Sequence, residues 1–118
     1  MTKIAIIVLN YNGKNDTKEL LQSLDKVEKK DFNLEIILID NGSKDASFDV
    51  SRYQNKINLI KNKKNIGFAA ANNQGIKLAL ENGADYFCLL NNDTIVKEDF
   101  IEKAIRELLI PEIKTAAA

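Results

Sequence analysis

An α/β fold, a doubly wound and mainly parallel sheet of about four strands with helices on both faces, is predicted by three observations. Short runs of branched and aromatic residues, at 4–9, 34–39, 57–60 and 86–90, alternate with longer amphipathic segments. The runs are apolar at most positions instead of at every second one, which is how strands covered on both faces read. Each is bounded by Asn, Asp or Gly, where strands stop.

The first run ends in Asn10, Tyr11, Asn12 and Gly13. Leu20, Leu21, Leu24 and Val27 then recur at helical spacing, so the first crossover is a helix. The second run leads into Asp40, Asn41, Gly42 and Ser43. Residues 46–55 carry only Phe48, Val50 and Tyr53 as apolar points and predict a short helix. The third run is followed by Asn62, Lys63, Lys64, Asn65, Ile66 and Gly67, and then Phe68, Ala71, Gly75, Leu78 and Ala79 share one face of a second long helix. The fourth ends in Asn91, Asn92, Asp93 and Thr94, and Phe100, Ile101, Ala104, Ile105 and Leu108 predict a third. Helical crossovers of this length join parallel strands, with right-handed connections. With no repeat and no low-complexity linker, residues 1–118 are read as one domain.

The 17 basic and 17 acidic residues cancel, so the charge footprint of a nucleic-acid binder is missing. Cys88 is the only cysteine and there is no histidine, so an internal disulfide and zinc sites of the Cys/His kind are excluded. Any divalent metal must sit on oxygen. No apolar run approaches the roughly 20 residues that span a bilayer, and the start lacks a signal-peptide pattern. The expected location is the cytoplasm or the cytosolic face of a membrane. Cys88 lies mid-strand and reads as a small buried hydrophobe; Lys61, Lys63 and Lys64 read as a solvated surface.

In an open parallel sheet, ligands bind outside the carboxyl ends of the strands. All four loops there are polar and rich in amides, and turn chemistry accounts for any one of them. It does not account for Asp40 and Asp93, each placed just past a buried strand, where a carboxylate is costly unless something pairs with it. The dinucleotide fingerprint is missing, since Gly13 stands alone, and so is the phosphate loop, since Lys14 is followed by Asn15. A hard cation, Mg²⁺ or Mn²⁺, is commonly held by one or two carboxylates plus a ligand's phosphate oxygens, and Asp93 is the candidate anchor. Gly67, Ala69, Ala70 and Ala71 leave the backbone bare at a helix start, which suits a phosphate or close packing on the sheet, while Gly75 suits packing. Tyr11 is the aromatic placed against a base; Tyr53 and Tyr86 are read as packing.

The segments "VLNYNG" from Val8, "LIDNGSKD" from Leu38, "NIGFAAANNQGI" from Asn65 and "LLNNDT" from Leu89 together resemble the family 2 glycosyltransferases of the GT-A fold, especially the bacterial rhamnosyltransferase-like members. The resemblance covers nearly the whole chain, from Lys3 to about Leu109. It implies a nucleotide-sugar-binding domain for a UDP- or dTDP-sugar, transferring glycosyl to a saccharide or lipid-linked acceptor with inversion. It places Asn10, Tyr11 and Asn12 around the nucleotide, Asp40 on the pyrimidine, and Asn65, Gly67, Ala70 and Asn73 along the ribose and diphosphate. It aligns the family's Asp-x-Asp motif with Asn91, Asn92 and Asp93, so that Asp93 faces the metal. The first aspartate is replaced by Asn91, whose amide suits a ribose contact. A carboxylate at Asp40 accepts the imide N–H of uracil or thymine and repels the acceptor nitrogen of cytosine.

The resemblance also implies a general base from a second half of the fold, which is not found within the 118 residues. No catalytic residue is therefore assigned, and the expectation is the N-terminal, donor-binding part of a longer enzyme, weakly active or inactive alone. The alternative is a non-catalytic α/β interaction module, self-associating through an uncovered sheet edge. A receiver domain would need an acidic pair after the first strand, where Asn10, Tyr11 and Asn12 stand.

Overall fold

The computed structural model describes residues 1–29, 31–45 and 48–108, with the side chains of its last helix described through Ala104. Its strands are β1 (Thr2–Asn10), β2 (Phe32–Asn41), β3 (Lys56–Asn62) and β4 (Tyr86–Asn91), and its helices α1 (Lys14–Asp25), α2 (Phe68–Glu81) and α3 (Phe100–Leu108). The strands form one parallel sheet in the order β3-β2-β1-β4. The α/β class expected from the apolar runs is the one found.

Side chains alternate across a pleated strand, so each strand feeds two cores. Ile4, Ile6 and Val8 of β1, Leu34, Ile36 and Leu38 of β2, and Cys88 and Leu90 of β4 face one side, against Leu20, Leu21 and Leu24 of α1 and Ile101 of α3. Ala5, Ile7, Ile37 and Ile39 face the other, against Ala71 and Ala79 of α2. Gly75 is what lets α2 lie this close: a Cβ there would stand 2.7 Å from Ile7 Cγ2 and 2.9 Å from Ile39 Cδ1. Tyr53 and Tyr86 pack against the first core, as expected.

The short helix expected over residues 46–55 is not formed as such. Ala46 and Ser47 lie outside the described residues, and the rest of the segment makes one 3-10 turn, Val50–Arg52. Asp49 starts this turn by accepting a hydrogen bond from the Ser51 amide at 3.2 Å, while Phe48 and Tyr53 still reach the core. Three apolar points in ten residues do not make a face long enough to propagate a helix. No helix among the described residues is long and apolar enough to cross a membrane.

Candidate functional site

The carboxyl edge of the sheet is set by register. Asn10 lies beside Asp40, Leu9 beside Asn91, and Asn41 beside Asn62. Because the pleat sends Asp40 and Asn41 to opposite faces, two separate polar clusters form, each tied to the helix on its own side.

On the α1 side, Asn10 is fully buried and both ends of its amide are used. Its Nδ2 donates to Asp40 Oδ1 at 3.2 Å and Ser43 Oγ at 3.1 Å, and its Oδ1 accepts the Thr17 hydroxyl at 2.7 Å. Asp40 is itself 5% exposed, and Asn10 is its one hydrogen-bond partner among the described residues. Asn12, at φ 51°, ties the same loops: its amide donates to Ser43 Oγ at 2.8 Å and its Oδ1 accepts from the Lys44 amide at 2.9 Å.

On the α2 side, Asn41 donates to Asn65 Oδ1 at 2.9 Å and accepts from Asn62 Nδ2 at 3.1 Å and the Ile66 amide at 3.1 Å. Asn62 and Gln74 exchange two amide bonds, at 2.9 and 3.0 Å. Asn65 Oδ1 also accepts the Gly67 amide at 2.8 Å. The residue before α2 is thus held with φ 92° and ψ 157°, a conformation open to glycine almost alone. An added Cβ at Gly67 would meet nothing within 4 Å, so this helix start stands bare, with Ala70 and Asn73 exposed beside it.

Between these clusters, where strand order reverses from β2-β1 to β4, lies a crevice of about 320 Å³. It is lined by Leu9, Leu89 and Leu90 at its floor and by Tyr11, Phe68, Asn72, Asn91, Asn92 and Asp93 around it. Tyr11 is 50% and Phe68 66% exposed. Asp93 is exposed and has no ion-pair or hydrogen-bond partner among the described residues. Asn72 is 6% exposed and also without a hydrogen-bond partner among them, so its amide is unused at the crevice wall. Asn92 is anchored, donating to Thr17 Oγ1 at 3.2 Å.

The crevice therefore gathers Tyr11, Asn91, Asn92 and Asp93 from the residues singled out in the sequence. Asn10 and Asp40 stand under the opposite face of the edge, while Gly67, Ala70 and Asn73 flank α2's start and Asn65 is engaged below it. Sequence reasoning misses Phe68, Asn72 and Thr17 as site residues. Helical spacing puts Phe68 on the buried face of its helix, but the first turn of α2 overhangs the strand tips and leaves the ring in solvent. Thr17 and Asn72 carry a signal: each shares a buried helix face with apolar residues, Thr17 with Leu20, Leu21 and Leu24, and a polar group there needs a partner or a ligand.

The family model described as Glycosyl transferase family 2 matches residues 5–113. An uncharacterized glycosyltransferase of Haemophilus influenzae is 33% identical over 109 residues, which cover 89% of this chain and 32% of that protein. Glycosyltransferase GlyG of Streptococcus pneumoniae is 30% identical over 110 residues, covering 89% of this chain and 35% of that protein. The chain thus spans about a third of the length of these curated relatives. Among solved structures, S. aureus TarS 1-349 in complex with UDP-GlcNAc superposes with a TM-score of 0.77 at 21% identity, over 91% of this chain and 31% of that one. At that identity the likeness establishes the fold.

Proposed function

This chain belongs to glycosyl transferase family 2, and on that premise we propose that it holds the donor of an inverting glycosyl transfer, a UDP- or dTDP-sugar, together with Mg²⁺ or Mn²⁺. The observation that carries this reading is the crevice at the strand-order reversal, where an unpaired carboxylate, Asp93, stands beside two exposed aromatic rings and the unpartnered amide of Asn72. TarS, whose fold the chain shares, has been solved with UDP-GlcNAc and with UDP, which supports a uridine nucleotide.

The donor set suits a hard cation. Among the described residues no three His, Cys, Asp or Glu side chains cluster, so Asp93 would be the one charged protein ligand, leaving positions for diphosphate oxygens and water. Bound there, the cation would supply the charge that stabilises a diphosphate leaving group. Asn91 hydrogen-bonds the ribose, and Tyr11 and Phe68 offer faces to the base and sugar. Asp40 accepts the pyrimidine imide proton. The bare N-terminus of α2 at Gly67, with Ala70 and Asn73, takes the diphosphate, since its free N–H groups favour negative charge. Asn10, Asn12 and Asn65 contribute by holding these loops, their side chains being engaged within the protein. The acceptor is a saccharide or lipid-linked hydroxyl, and no catalytic base is assigned among the described residues. Cys88, buried and unbridged, favours a reducing setting, the cytoplasm or its face of a membrane.

Titration calorimetry with UDP and dTDP, with and without Mn²⁺, tests this. Metal-dependent heat in the wild type that is lost in Asp93→Ala is expected, and no heat with either nucleotide would overturn the reading. A second reading, a self-associating interaction module, is favoured by one observation: among the described residues β4 is a sheet edge and its Phe87 is 39% exposed. An oligomer on size-exclusion chromatography that ignores nucleotide supports it; a monomer stabilised by nucleotide supports the first.

A further inference from the structure

Asp40 and the crevice occupy different faces of the sheet edge, yet one buried side chain connects them. Thr17, in the first turn of α1 and fully buried, donates its hydroxyl proton to Asn10 Oδ1 at 2.7 Å and accepts Asn92 Nδ2 at 3.2 Å. Asn10 Nδ2 then donates to Asp40 Oδ1 at 3.2 Å. All three bonds run the same way, donor toward β4 and acceptor toward β2, so the chain terminates on the carboxylate.

Resting on the nucleotide reading above, we infer that Thr17 is a positioning residue for base selectivity: through Asn10 its hydroxyl holds the carboxylate that reads the pyrimidine, and through Asn92 it holds the loop bearing Asp93. The chemistry fixes the direction. A carboxylate only accepts, so the Asn10 amide must present its NH₂ to Asp40, and its oxygen then faces Thr17 and requires a proton. Thr17 supplies that proton and offers a lone pair to Asn92. Bonds in such a series polarise one another, and without the Thr17 hydroxyl the buried Asn10 Oδ1 loses its donor, while Asn92 Nδ2 is left with the Gly13 carbonyl at 3.5 Å alone. Loosening Asn10 lets Asp40 turn, and a carboxylate that turns discriminates less between an imide N–H and a bare ring nitrogen. Gly13 belongs to the same arrangement, because a Cβ there would stand 2.5 Å from Asn92 Nδ2 and push it off the threonine.

The test compares UDP and CDP affinities by calorimetry, beside thermal melting, for the wild type, Thr17→Val and Thr17→Ser. Valine keeps the shape and removes the hydroxyl; serine keeps the hydroxyl. The wild type is expected to prefer UDP, Thr17→Val to lower that preference roughly fivefold, the worth of one neutral hydrogen bond, and Thr17→Ser to retain it. A Thr17→Val protein that melts earlier but keeps the wild-type ratio overturns the inference, leaving a structural role alone. Should the valine variant not fold, Gly13→Ala decides, since it cuts the series one link earlier: a drop of about twofold supports the inference and an unchanged ratio overturns it. A wild type that binds neither nucleotide overturns the proposed function itself. One that binds both equally overturns the base-reading role of Asp40, and this inference with it.

Discussion

Strand β2 carries two buried carboxylates at opposite ends, and their surroundings differ in kind. Glu35, near the amino end and 3% exposed, has Lys3 Nζ at 3.7 Å and accepts Asn82 Nδ2 at 3.1 and 3.3 Å on its two oxygens. Lys3 in turn donates to the Asn82 carbonyl at 2.6 Å. Asp40, at the carboxyl end and 5% exposed, has one amide and no cation among the described residues. The first acid is closed by a counter-charge and one amide nitrogen shared between its two oxygens, a structural clamp between β1, β2 and the end of α2. The second keeps accepting capacity that the protein does not fill. Burial by itself does not mark a functional acid; on the proposed reading it is the unfilled capacity of Asp40 that a pyrimidine would use.

Removing the clamp is expected to give the largest effect. Glu35→Ala should lose about 2 kcal/mol of unfolding free energy by denaturant titration, less than for a wholly buried pair because the Lys3 side chain keeps 31% exposure. Nucleotide affinity measured on the folded fraction should be unchanged. Asp93→Ala should invert this pattern: unpaired and exposed, the side chain contributes little to folding, so the melting temperature should hold while Mn²⁺-dependent UDP affinity falls at least about tenfold. If both variants lowered both quantities, the division between the two ends of the sheet would fail. Phe68→Ala should weaken nucleotide-sugar binding about threefold in the same calorimetry, with melting unaffected, since a 66% exposed ring carries little core energy.

The smallest effect is expected far from both ends. Hydrogen bonds from the Ser51 side chain and amide hold the Asp49 carboxyl below its usual value. A depressed carboxyl stabilises the fold above its unfolded value, and that contribution is lost as pH falls through the folded one. Asp49→Asn should therefore flatten the acid limb of the stability curve slightly, detectable as a small change in the slope of melting temperature against pH below about 4. A change near neutrality would contradict this assignment.

How far the sequence reveals this arrangement depends on whether a signal is local. The strands are legible because a strand covered on both faces is apolar at most positions, and that needs no partner to recognise, even though Glu35 and Asn58 interrupt two of the runs. Asp40 and Asp93 are legible for the complementary reason: acids just beyond such runs violate the pattern. Phe68 is misplaced because helical spacing says which residues share a face but not how far that face extends over the sheet. Thr17 signals only that it needs a partner; which one it finds, and which one Asn41 finds, stays silent, because the partners Asn10 and Asn65 lie 7 and 24 residues away in sequence.

From its residues alone, the chain determined its class, its four strands, its long helices and the edge where polar chemistry collects, since hydrophobic periodicity and turn residues act over a few positions. Only the tertiary structure decided which loops meet. Parallel register set Asn10 beside Asp40 and Asn41 beside Asn62, the pleat sent the two pairs to opposite faces, and strand order opened the crevice between β1 and β4. Hydrogen bonds among distant side chains require those placements first, and so belong to the folded molecule.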